Sequence, residues 1–118
     1  MIKRHQKLLV WQEAMKLAES VYALSRQLPR EELFVLTAQL RKCAVSVPSN
    51  IAEGASRHSD KEMLRFLNIA KGSLAEMETQ ILLCERLYSI EWCYEDTKRK
   101  IEDVFALNES LRRRISAA

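Results

Sequence analysis

The sequence predicts an all-α fold, an antiparallel up-down four-helix bundle, and three observations carry that expectation. The 118 residues include only two glycines and two prolines, too few for the turns of a β-rich chain of this length. Apolar residues recur at steps of three and four along four long stretches, the spacing that keeps side chains on one helix face. Short connections join the stretches, which makes consecutive helices antiparallel neighbours. A chain of this size fits a single domain, residues 1–118, and its 47% hydrophobic content suffices for one core.

The first helix is expected over Leu9–Leu28, with Val10, Ala14, Leu17, Val21, Leu24 and Leu28 on the buried stripe. Pro29 ends it, because a residue before proline avoids helical torsions. The second begins after Arg30 and buries Leu33, Leu36, Leu40, Cys43, Ala44, Val47, Ile51 and Ala55. Pro48 falls inside this register; the stripe continues on both sides, so one kinked helix is expected rather than two. Ser59-Asp60-Lys61-Glu62 is a capping box opening the third helix, in which serine and glutamate each satisfy a terminal backbone donor. Its stripe is Met63, Phe66, Ala70, Leu74, Met77, Ile81, Cys84 and Tyr88. Ser89 is the expected cap of the fourth, whose seam is Thr97, Ile101, Val104, Asn108, Leu111 and Ile115; a lone asparagine in such a seam fixes register.

Extra apolar positions accompany these stripes: Trp11, Met15, Ala18 and Tyr22; Val45 and Ala52; Ile69, Leu83 and Leu87. Together they exceed what one bundle needs to bury. Left exposed they form a patch unusual for a monomer, which closed cyclic self-association would cover.

The chemistry-bearing residues exclude several function classes. Neither histidine, His5 nor His58, has a glutamate three positions earlier, as a di-iron bundle requires; Ile2 and Ala55 stand there. Gly54 and Gly72 are too far apart for a phosphate loop. Cys43 and Cys84 lie on core stripes, and an odd total of three with Cys93 reads as reduced cytosolic thiols rather than a disulfide framework. No enzyme, metal or cofactor is expected. No stretch reads as a signal peptide or reaches membrane-spanning length, so a cytoplasmic location is expected.

The net charge of +3 is unevenly placed, residues 1–30 alone carrying a surplus of four. Basic clusters recur at Lys98-Arg99-Lys100 and Arg112-Arg113-Arg114, and such clusters can meet phosphate backbones. A polar stripe also runs beside the core. Gln39, Ser46, Asn50, Glu53 and Arg57 flank it on the second helix, and Ser73, Glu76 and Gln80 on the third. Two readings stand: an interhelical hydrogen-bond network, or a ligand contact.

The stretch from Leu36 to Gly54, LTAQLRKCAVSVPSNIAEG, resembles the signature of the four-helix-bundle proteins encoded in intervening sequences of bacterial 23S ribosomal RNA genes. Val10–Ala14, Ser59–Glu62 and Phe66–Gln80 match further family segments in order, so the resemblance covers about residues 8–90. It implies an up-down bundle assembled as a ring, typically a homopentamer, without enzymatic activity. The chain is also similar to accessory proteins of diversity-generating retroelements, which implies nucleic acid and a reverse transcriptase as partners.

The expectation is a non-catalytic, oligomeric nucleic-acid-binding protein. Its candidate contacts are Lys3, Arg4, Lys7, Arg41, Lys42, Arg57, Lys61 and Arg65, with Lys98, Arg99 and Lys100 as a second patch. The alternative is a protein-interaction scaffold in which the basic residues only aid solubility.

Overall fold

The computed structural model describes residues 2–90 and 93–117. Among them the chain forms α1 (Leu9–Ser25), α2 (Leu36–Ser56), α3 (Asp60–Leu87) and α4 (Cys93–Ala117), with 3-10 turns at Arg4–Lys7 and Arg30–Glu32 and no strand. Each helix packs on the next and α4 closes against α1, while diagonal pairs stay apart. α2 and α3 run in opposite directions, Gly54 meeting Met63 and Phe66 while Cys43 faces Glu76, and so do α3 and α4, Asn108 bonding Leu67 while Lys98 reaches Glu85; single hydrogen bonds also join the helix pairs. The Arg41 guanidinium donates to the Ser25 hydroxyl (3.0 Å), the Ser46 and Ser73 hydroxyls bond at 2.8 Å, and those of Ser20 and Thr97 at 3.0 Å. The molecule measures 45 × 24 × 22 Å.

The threes-and-fours stripes form the core. Leu17, Val21, Leu24, Leu40, Val47, Ile51, Ala70, Met77 and Ile81 are wholly buried, each large aliphatic side chain contributing roughly 1.5–3 kcal/mol through burial. Leu67, outside the expected stripe, is also fully buried. Asn108 sits in the α4 seam with its amide donating to the Leu67 carbonyl at 3.1 Å, which ties α4 to α3 at one register.

The element ends depart from the sequence expectations in four places. α1 closes at Ser25 rather than Leu28. Pro29 has no N–H to offer the Ser25 carbonyl, and the chain tightens instead, Gln27 and Leu28 donating to Leu24 and Ser25. α2 begins at Leu36, because residues 30–32 form a separate turn, and Leu33 is therefore left outside the helix and exposed. The capping box is half made. Ser59 Oγ accepts from the Glu62 N–H at 3.1 Å, while the Glu62 carboxylate turns to Arg65 at 3.6 Å. Ser89 does not cap α4, which starts four residues later at Cys93; the cap position, Trp92, and the Cys93 side chain lie outside the described residues. A single α2 does run through the buried Pro48.

Candidate nucleic-acid interface

The antiparallel order brings three chain segments to one end of the bundle: the approach to α1, the α2–α3 turn and the end of α4. α2 and α3 approach closely there because Gly54 lacks a side chain. A Cβ at that position would lie 3.0 Å from Met63 Sδ and 3.0 Å from Phe66 Cβ. The chain then leaves α2 in an extended conformation at Arg57 and restarts as α3 behind Ser59.

Phe66, only 8% exposed, anchors two guanidiniums at this turn. The Arg57 and Arg65 groups stand 5.2 and 4.9 Å from its ring centroid, a geometry that attracts cations to the ring and restricts long side chains. Both also reach a carboxylate on their own helix, Arg57 to Glu53 at 3.4 Å and Arg65 to Glu62 at 3.6 Å. The N-terminal 3-10 turn lies against the end of α2, where Arg4 Nη1 donates to the Ala55 carbonyl at 3.4 Å. That contact carries the exposed Lys3 and Lys7 to the same end.

α4 adds its last turn. Arg112 pairs with Glu109 at 2.6 Å, and Lys71 reaches the same carboxylate at 3.5 Å. The Arg112 hydrogen bond holds the Glu109 carboxyl below the ordinary range. Arg113 and Arg114 are exposed and make no ion pair among the described residues. Residues 1–8, 53–65 and 109–118 hold nine Lys and Arg against four Asp and Glu, a surplus of five. The rest of the chain holds ten against twelve. The modest net charge is thus a strongly basic pole on a slightly acidic body.

The eleven sequence-derived candidates therefore separate into three places. Lys3, Arg4, Lys7, Arg57, Lys61 and Arg65 gather at the basic pole. Arg41 and Lys42 lie away from it; Arg41 stacks on Tyr22 at 5.1 Å and bonds Ser25. Lys98, Arg99 and Lys100 lie at the opposite end among acids. Lys98 bridges Glu85 and Glu95 at 3.0 and 2.9 Å, and Arg99 and Lys100 share Asp96. The hydrogen bond from Lys100 pulls the Asp96 carboxyl down, and those to Glu95 and Glu85 push the Lys98 ammonium up. Arg112–Arg114 join the first group. Their clustering was visible in the sequence; their neighbours were not.

The polar stripe meets across the α2–α3 edge in part. Besides Ser46 and Ser73, Asn50 donates to the Ser46 carbonyl and hydroxyl at 2.8 and 2.9 Å. The Cys43 thiol faces Glu76 at 3.7 Å, with the Gln80 amide also against the sulfur. Gln39 and Glu53 are exposed and stand outside this network. The arrangement is an interhelical network in which the buried Gln80 Oε1 has no hydrogen-bond partner among the described residues. Among the described residues no group of three His, Cys, Asp or Glu side chains is placed to hold a metal, and no helix is long and apolar enough to cross a membrane.

Apolar side chains remain on the surface. Met15, Ala18, Tyr22 and Val45 line an outer groove between α1 and α2. Ala75, Phe105 and Ala106 line another between α3 and α4, rimmed by Glu78 and Glu102. At the end opposite the basic pole, Leu33, Phe34 and Val35 are exposed in succession, Phe34 by 89%. The Tyr88 hydroxyl, donating to Glu32, holds this loop beside the end of α3.

Comparison with known proteins gives no match among curated proteins. A crystal structure of a protein of unknown function from the S23 ribosomal protein family of Bacteroides thetaiotaomicron is similar in fold. Its TM-score is 0.80 at 23% identity, over 88% of this chain and 98% of that one. The family model for the 23S rRNA-intervening sequence protein matches residues 6–110. With nearly the whole bundle inside that match, the chain belongs to the 23S rRNA-intervening sequence protein family.

Proposed function

We propose that this chain is a non-catalytic, self-associating, cytoplasmic protein that binds nucleic acid through the basic pole of its bundle. The observation that carries the reading is the surplus of five positive charges gathered at one end from three separate chain segments. Clustered Lys and Arg release condensed counterions from a phosphate backbone, which drives binding independently of sequence. Family membership is consistent with an RNA-linked role.

Self-association multiplies that field. The α1–α2 and α3–α4 grooves are two unlike, partly apolar surfaces on different sides of the bundle, as a head-to-tail contact requires, and such a contact closes into a ring when the rotation between copies permits. The homopentamer implied by the family resemblance would repeat the basic pole five times around one rim. A mobility-shift titration of an RNA hairpin at about 50 and about 200 mM salt tests the function. Binding that weakens at least a hundredfold between the two supports it; no binding at the lower salt refutes it.

A second reading is favoured by Phe34. A largely exposed aromatic within a Leu-Phe-Val run suits docking of a protein, for which the sequence resemblance to retroelement accessory proteins suggests a reverse transcriptase. In that case partner recovery depends on Phe34 and survives neutralisation of Arg57, Lys61 and Arg65.

A further inference from the structure

We infer that the ligand of the basic pole is double-stranded nucleic acid, held by its two phosphate backbones, rather than a single strand. The inference rests on the nucleic-acid reading above and adds the form of the ligand.

The first argument is the shape of the charged surface. The positive groups come from the ends of α2, α3 and α4 and from the segment before α1, so they spread over an end face about as wide as the bundle, 24 × 22 Å. They do not line a channel. A single strand offers one row of phosphates and engages such groups only by bending across the face. A duplex offers one charge per ~1.7 Å of axis, or about thirteen along a 22 Å face, on two strands at once.

The second argument is chemical. Single-strand sites stack successive bases on exposed aromatic rings, which supplies much of their affinity. The rings near this pole are occupied. Phe66 is buried beneath Arg57 and Arg65, and Trp11 is half-buried, packed edge-on against His5 at 5.1 Å between centroids. Among the described residues neither of these rings is left for a base. The two arginines, by contrast, are pre-positioned by the same ring, which lowers the ordering cost of a backbone contact.

Fluorescence anisotropy with labelled 20-nucleotide strands, alone and annealed as RNA and as DNA duplexes, tests the proposal on the intact protein. At about 50 mM salt the duplexes should bind at least about tenfold more tightly than either strand. Arg57→Gln with Arg65→Gln should reduce the slope of log affinity against log salt by about two in the duplex titration, with helicity by circular dichroism unchanged. RNA and DNA duplexes binding within about threefold of each other would show that backbones alone are read; a larger RNA preference would add contacts to the 2′-hydroxyls and keep the duplex assignment. Single strands binding as tightly as duplexes would overturn the duplex assignment and leave the phosphate reading standing. No binding by any of the four would overturn both.

Discussion

Alanine at the chain's two glycines should have effects of opposite sign. Both lie inside helices, where glycine costs about 0.5–1 kcal/mol relative to alanine. At Gly72 a Cβ would meet no atom within 4 Å, so Gly72→Ala should recover that amount. At Gly54 the new methyl would sit 3.0 Å from Phe66 Cβ, an atom attached directly to the α3 backbone, and 3.4 Å from the Met63 carbonyl. Relieving this requires α2 and α3 to separate by some tenths of an ångström, and overpacking of this kind costs about 1–3 kcal/mol. The net expectation is a loss of about 0–2.5 kcal/mol for Gly54→Ala against a gain of about 0.5–1 kcal/mol for Gly72→Ala. Urea unfolding followed by circular dichroism at one fixed chain concentration, which keeps any self-association constant, reads the difference. Gly54→Ala stabilising as much as Gly72→Ala would refute the close-approach argument.

Three further outcomes follow from the interior. Asn108→Asp should destabilise by roughly 3 kcal/mol at neutral pH, because it places a carboxylate in a fully buried seam beside the Leu67 carbonyl; part of the loss should return in acid, where the side chain is neutral. Alkaline stability should fall between about pH 9 and 12. Burial pushes the Cys84 thiol to about 11, and the hydrogen bond to Glu32 pushes Tyr88 to about 12. Both values are raised, so the stability these groups contribute is complete below their unfolded-state pKa and lost as pH rises through the folded one. Tyr88→Phe should flatten the upper part of the curve. In a Cys93→Ser background, Cys43 and Cys84, both buried, should react with Ellman's reagent at pH 8 only slowly, and fully once urea unfolds the chain.

The helices were legible because their cores obey one period. Nearly every stripe residue from Val10 to Leu111 is buried as the spacing requires, and Asn108 holds the register expected of a lone polar seam residue. The ends were less so. Whether Leu28 continues a helix depends on hydrogen bonds that Pro29 cannot make, and the helical start at Leu36 has no capping side chain to announce it. Leu67 lies on α3's own period, four residues after Met63 and three before Ala70, but the expected stripe took its neighbour Phe66 instead; both are buried. The basic pole was half legible. Sequence marks clusters such as Arg112–Arg114 but not their meeting with Lys3, Arg4 and Arg57, because only antiparallel packing unites the start of α1, the α2–α3 turn and the end of α4. Nor does it show that Lys98–Lys100 are already engaged by Glu85, Glu95 and Asp96.

The central claim is that one end of the bundle, and not the positive charge of the chain as a whole, meets nucleic acid. Two triple variants of equal charge change test it: Arg57→Gln/Lys61→Gln/Arg65→Gln at the basic pole and Lys98→Gln/Arg99→Gln/Lys100→Gln at the opposite end. Affinity for one RNA hairpin is measured across a salt series for each. The account predicts a salt slope shallower by about two to three units for the first variant and a nearly unchanged slope for the second. Equal loss in both would contradict it.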